Sequence, residues 1–216
     1  MITIETLVFN HWQENTYILH DETGEAVLID CGVFFEDEGG KLIDFVKKKN
    51  IKLVKQLNTH LHIDHVLGNQ FMKDQFGLLT EAHKDDEFLL AEASNYAVRL
   101  GLENVVEPPP IGKLIKEGDV IKFGNSELKV LHVPGHSPGH VVFYNEEQKF
   151  LIAGDVLFRE SIGRTDLPYG NFDQLIEGIK TKLLVLDDEV SVYPGHGPAT
   201  SIGHERSNNL FLKGLS

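Results

Sequence analysis

Three imidazoles and a carboxylate fall within six consecutive residues, His60-Leu61-His62-Ile63-Asp64-His65. The chain has 11 histidines in 216 residues, so this grouping is not an even scatter. Neutral imidazole and carboxylate are the ligand types that hold zinc, iron or manganese. The cluster follows the strand-like run Lys52 to Leu57 and leads into a helical pattern. In an extended exit from that strand, His60 and His62 point to the same side and can grip one ion. Asp64 and His65 follow the turn of the chain and can face a neighbouring ion.

Three more ligand-type residues stand in separate turns. His136 lies in Pro134-Gly135-His136-Ser137-Pro138-Gly139-His140, Asp155 follows Ala153-Gly154, and His196 lies in Tyr193-Pro194-Gly195-His196-Gly197-Pro198. Each turn ends a strand-like run and is shaped by glycine or proline. Seven such residues exceed what one tetrahedral ion takes, so the pattern predicts two metals. Singly, each has a plainer use: Asp64 would cap a helix, and His136 or His196 would be a hydrogen-bonded loop histidine. Only the set carries the reading. His11, His20, His83, His132 and His204 lack such surroundings and read as surface or structural, as does His140, with a supporting role at the site as its alternative.

These segments resemble the metallo-β-lactamase superfamily. Thr59-His60-Leu61-His62-Ile63-Asp64-His65 matches its signature, and the later Pro-Gly-His, Gly-Asp and Pro-Gly-His-Gly segments come in its order, over about Asn15 to His196. The resemblance implies an α/β fold, a four-layer αββα sandwich of two mixed β-sheets with flanking helices. It implies one metal site from His60, His62 and His136, a second from Asp64, His65 and His196, and Asp155 bridging them. The implied cofactors are two divalent metals, zinc first, with iron or manganese as alternatives. Asp30 is implied to support the metal loop from behind.

Within the superfamily, the commonest zinc β-lactamases place a cysteine at the second metal. Here that region carries Gly154-Asp155, and the single cysteine, Cys31, is far away. A bridging aspartate is instead similar to glyoxalase II, which hydrolyses thioesters of acylated glutathione; it also fits lactonases, ribonuclease Z and persulfide dioxygenase. The expected activity is therefore hydrolysis of a small-molecule thioester, such as a glutathione conjugate, by a metal-activated water. The alternatives are a mononuclear-iron persulfide dioxygenase, or a lactonase or other ester hydrolase. Asp64 would serve as general base only where the second metal is absent. Arg164 stands near the position of a basic residue that binds a glutathione carboxylate in glyoxalase II, and its alternative is a local pair with Asp166. Twenty residues follow His196, room for a short helix but not for the C-terminal helical domain of glyoxalase II.

The elements that must position these residues are legible in outline. Strand-like runs cover 2–9, 15–20, 26–29, 52–57, 119–123, 127–133, 140–145, 150–154 and 190–193. Helical patterns end at Lys47 to Lys49, run from Asp64 to a stop at Gly77, and cover 83–99, 173–184 and Glu205 to Leu212. No linker interrupts the chain, which reads as one domain, 1–216. The formal charge of −13 repels a phosphate backbone and argues against nucleic acid. A lone cysteine allows no intrachain disulfide and suits a reducing, cytoplasmic compartment. No apolar run approaches the roughly 18 residues of a membrane helix.

Overall fold

The computed structural model describes residues 1–103 and 105–214. Its first half runs β1 (Thr3–Phe9), β2 (Glu14–His20), β3 (Glu25–Ile29), α1 (Glu36–Lys49), β4 (Lys52–Leu57), α2 (Ile63–Val66), α3 (Asn69–Phe76), β5 (Thr80–His83), α4 (Glu87–Arg99) and β6 (Lys113–Ile115). These strands form one sheet in the order β1-β2-β3-β4-β5-β6, antiparallel from β1 to β3 and parallel from β3 to β6. The second half runs β7 (Val120–Phe123), β8 (Ser126–His132), β9 (Val141–Asn145), β10 (Phe150–Gly154), a small hairpin of β11 (Leu157–Phe158) and β12 (Ser161–Ile162), α5 (Phe172–Gly178), β13 (Ser191–Pro194), β14 (Thr200–Ser201) and α6 (Ile202–Asn208). Its sheet has the order β14-β13-β10-β9-β8-β7, with β10 and β13 parallel.

Side-chain alternation explains why two sheets stack with helices outside. In β2, Tyr17 and Leu19 point into the core between the sheets, while Ile18 points the other way. In β3, Val27 and Ile29 face inward, and Ala26 and Leu28 meet Leu42 and Val46 of α1 and Met72 of α3. The second sheet answers in kind: Phe150 and Ile152 of β10 face inward, and Leu151 and Ala153 face Leu175 of α5 and Ile202 of α6. Both faces of each sheet are thus apolar and covered, giving the four-layer αββα sandwich.

Three predicted helices are corrected. The pattern from Asp64 to Phe76 is not one helix but two, α2 and α3, broken at Leu67-Gly68. Gly68 lies against the segment after β3: its N–H donates to the Cys31 carbonyl at 2.8 Å, and a Cβ there would stand 2.9 Å from that oxygen. The backbone contact takes Gly68 out of the helical ladder and anchors the loop of His65. The helix predicted over 173–184 stops at Gly178 and continues as a wider π-helical turn, Ile179–Leu183. The final helix lies earlier than predicted because Ser201 caps it, accepting from His204 N–H. Among the described residues, no helix is long and apolar enough to cross a membrane.

Candidate metal centre

The seven residues picked out by spacing meet at one edge of the sandwich. His60 follows β4, Asp155 follows β10 and His196 follows β13, while His136 lies in the turn between β8 and β9. His62 stands just before α2, and Asp64 and His65 lie within it. Parallel strands that end at the same edge deliver their following loops to one place, where a crevice forms.

The side chains divide into two adjoining donor sets. His60, His62 and His136 bring one nitrogen each to within 4.8 Å of one another, and Asp64, His65 and His196 do the same with a carboxylate oxygen and two nitrogens. In the first set His62 Nδ1 faces His136 Nε2 at 2.8 Å. In the second, Asp64 Oδ2 lies 3.0 Å from His196 Nε2 and 3.5 Å from His65 Nε2. Asp155 stands between the sets: Oδ1 is 3.5 Å from His65 Nε2, and Oδ2 is 3.6 Å from His136 Nε2 and 3.7 Å from His196 Nε2.

The outer ring nitrogens explain why the inner ones are available. His60 Nδ1 meets Thr59 Oγ1 at 3.1 Å, His65 Nδ1 meets Asp30 Oδ2 at 3.1 Å, His136 Nδ1 meets the Arg164 carbonyl at 2.8 Å and His196 Nδ1 meets the Trp12 carbonyl at 3.0 Å. Where Nδ1 gives its proton to such an oxygen, Nε2 carries the lone pair. Among the described residues, the buried Nε2 atoms of His60 and His65 and Oδ1 of Asp155 have no hydrogen-bond partner. Buried polar atoms are rarely left so. Imidazole and carboxylate donors that converge with free lone pairs fit divalent metal ions.

Electrostatics favour neutral rings at His60 and His62. Burial, joined by the neighbouring imidazoles of His65, His140, His62 and His136, pushes the His60 pKa well below the ordinary range. Burial and His136 bring His62 down to about 3. Burial also opposes charge on His65, but Asp64, Asp155 and Asp30 outweigh it and raise its pKa well above normal. Asp64 and Asp155 are conversely held low despite burial, chiefly by His65.

Asp30 sits behind the centre, with a left-handed backbone at φ 55°. Its buried carboxylate accepts from Thr59 N–H at 2.8 Å, Thr59 Oγ1 at 2.7 Å, Asn58 Nδ2 at 3.2 Å and His65 Nδ1. Glu14, which no sequence signal marks, and His140, for which a supporting role is the alternative expectation, also stand behind the centre. Glu14 is fully buried at the start of β2, with Oε2 accepting from Thr16 Oγ1 at 2.7 Å and Oε1 4.0 Å from His65 Nδ1; burial lifts its pKa well above the carboxylate range. His140 stacks on His60, and its Nε2 accepts from the Asp155 backbone N–H at 2.9 Å. Nothing in the spacing around Glu14 marks it, whereas the second histidine of Pro134–His140 was a visible signal for His140. His83 and His132, far apart in sequence, stack face to face at 4.2 Å with Asp85 beside them. With near-parallel rings, their in-plane lone pairs run side by side instead of toward one point. Arg164 turns its guanidinium to Asp166, with two bonds of 2.7 Å on an exposed surface.

The sequence model of the Metallo-beta-lactamase superfamily matches residues 10–196. The chain belongs to the metallo-beta-lactamase superfamily, and fold and site together define a metallo-hydrolase of that class. It is 36% identical to the hydroxyacylglutathione hydrolase GloC of Haemophilus influenzae over 216 residues, all of each chain. Among solved structures it is similar to the BLEG-1 B3 metallo-beta-lactamase, with a TM-score of 0.90 and 33% identity over 98% of this chain and 100% of that one. It is also similar to TTHA1623 in a di-iron-bound form, with a TM-score of 0.85 and 38% identity over 96% of this chain and 100% of that one.

Proposed function

We propose that the chain hydrolyses a small-molecule thioester, such as an acylglutathione, at a two-metal centre made by His60, His62 and His136 on one side, Asp64, His65 and His196 on the other, and Asp155 between. The observation that carries this is the pair of adjoining donor sets, each with its own converging lone pairs, flanking a single carboxylate. Zinc is the proposed metal; iron is the foremost alternative, since a relative 38% identical to this chain has a di-iron form. When bound, the metals would lower the pKa of a water from 15.7 toward about 7 and polarise the substrate carbonyl.

The chain's own groups do the positioning. Asp30 and the Thr59 hydroxyl fix the ring directions of His65 and His60. His140 holds the backbone of Asp155, so that its carboxylate stays between the two sets. If only the three-histidine set is filled, Asp64 Oδ2 is free to take the proton from the attacking water. A thiolate leaves readily and asks for no general acid. Arg164 is the proposed reader of a substrate carboxylate. Its exposed pair with Asp166 is weak because water screens both charges, so an incoming carboxylate can take Asp166's place.

The whole-length likeness to GloC favours a thioester, and the likeness to BLEG-1 makes a β-lactam the competing substrate. Purified protein should be assayed with S-lactoylglutathione and a chromogenic cephalosporin side by side. The expected kcat/KM for the thioester exceeds that for the β-lactam by about 100-fold, a difference of about 2.7 kcal/mol in transition-state stabilisation. The reverse order would refute the thioesterase reading. Oxygen uptake with glutathione persulfide, and no thioester cleavage, would replace it with the mononuclear-iron oxygenase.

A further inference from the structure

Ser137 and Gly139 belong to the Pro134–His140 motif but contribute nothing to either donor set. Their partner is Asp86, a fully buried carboxylate at the N-terminus of α4. Its Oδ2 accepts from Ser137 Oγ at 2.7 Å and from Leu61 N–H at 3.3 Å, and its Oδ1 accepts from Gly139 N–H at 2.6 Å. Leu61 lies between His60 and His62, and Ser137 follows His136. One carboxylate therefore joins the loop after β4 of the first sheet to the β8–β9 turn of the second.

The fit is close on both sides. A Cβ at position 139 would stand 2.8 Å from Asp86 Cγ, so glycine is required for this approach. Among the described residues, no cationic side chain pairs with Asp86, and the three donors must compensate its burial. The other donor set is held by different groups. Asn10 Nδ2 donates to the Asp64 carbonyl at 3.0 Å, Asp30 holds His65, and the Trp12 carbonyl holds His196. None of these contacts involves Asp86.

We propose that Asp86 is a positioning residue that clamps together the two loops supplying His60, His62 and His136, and so sets metal affinity at that donor set alone. The proposal rests on the two-metal reading above. Imidazole nitrogens bind zinc at about 2.0–2.1 Å, so loops that drift by a fraction of an ångström lose the ion. Asp86→Asn keeps the size but not the acceptors. Whichever way the carboxamide turns, its NH2 meets the N–H of Gly139 or of Leu61, donor against donor.

The test measures zinc affinity by competition with a chromophoric chelator in two backgrounds. His196→Ala leaves the three-histidine set, and His62→Ala leaves the Asp64, His65 and His196 set. Asp86→Asn is expected to weaken zinc about 10–100-fold in the first background and less than about threefold in the second, while the metal-free melting temperature falls by the same amount in both backgrounds. Equal losses of zinc affinity in both backgrounds, or none in the first, overturn the proposal. If Asp86→Asn does not fold, Ser137→Ala removes one of the three donors and is expected to weaken zinc several-fold in the first background only; no change there overturns it equally. If neither parent background binds zinc while folded, the two-metal reading itself fails, and this proposal with it.

Discussion

Asp155→Asn is expected to lower thioester hydrolysis by on the order of 10³-fold or more while leaving the metal-free fold intact. The carboxylate is buried between the two donor sets, with Oδ1 toward His65 and Oδ2 toward His136 and His196. Asparagine fills the same space but offers one neutral acceptor oxygen in place of two anionic ones, so it cannot serve both sets. A Lewis-acid centre supplies several kcal/mol of barrier reduction, and about 4 kcal/mol is three decades of rate. The fold is spared because the backbone N–H of residue 155 still donates to His140 Nε2, and the flanking strand β10 is unaltered. Steady-state kinetics, metal content and a melting curve on the same sample check this. Activity within tenfold of the parent, at full stability, would remove Asp155 from the centre.

Asp30→Ala is expected to cost both stability and metal. Its carboxylate accepts from Thr59 twice, from Asn58 and from His65, all buried. Removing it leaves those donors unpaired away from water, a loss of about 3–5 kcal/mol by analogy with breaking buried charged pairs. It also frees the His65 ring, for which a further 10–100-fold loss of metal affinity is the usual scale. Asp30→Asn should recover part of the stability, since asparagine tolerates the left-handed backbone and keeps an acceptor. Urea unfolding of metal-free protein gives the stability term separately. If Asp30→Ala loses less than about 1 kcal/mol, the support assigned to Asp30 is wrong.

What could be read from sequence and what could not divides along chain separation. The β-rich run Asn15 to His20 and the ligand-type residues placed just after apolar runs are local signals, and the resemblance that those residues carry implies the sandwich with a centre at one edge. The break at Gly68 was hidden because its cause is the backbone of Cys31, which is distant in sequence. β5, β6 and β14 are only four, three and two residues long, too short to show a period, and they owe their conformation to the strands beside them. Glu14 and Asp86 looked like ordinary acidic residues of an acidic chain. Only the fold shows that both are fully buried, one beside His65 and the other between two loops of the centre. Ligand-type residues are legible by chemistry and spacing, whereas the groups that orient them are legible only in three dimensions.

Hydrolysis is proposed to depend on two metals held by this donor set. The most direct test of this dependence is metal content by mass spectrometry on protein purified without added metal, followed by chelation and stepwise return of zinc with S-lactoylglutathione as substrate. About two metals per chain, loss of hydrolysis on chelation, and recovery that saturates near two equivalents of zinc are expected. Undiminished thioester cleavage by fully metal-free protein would contradict it.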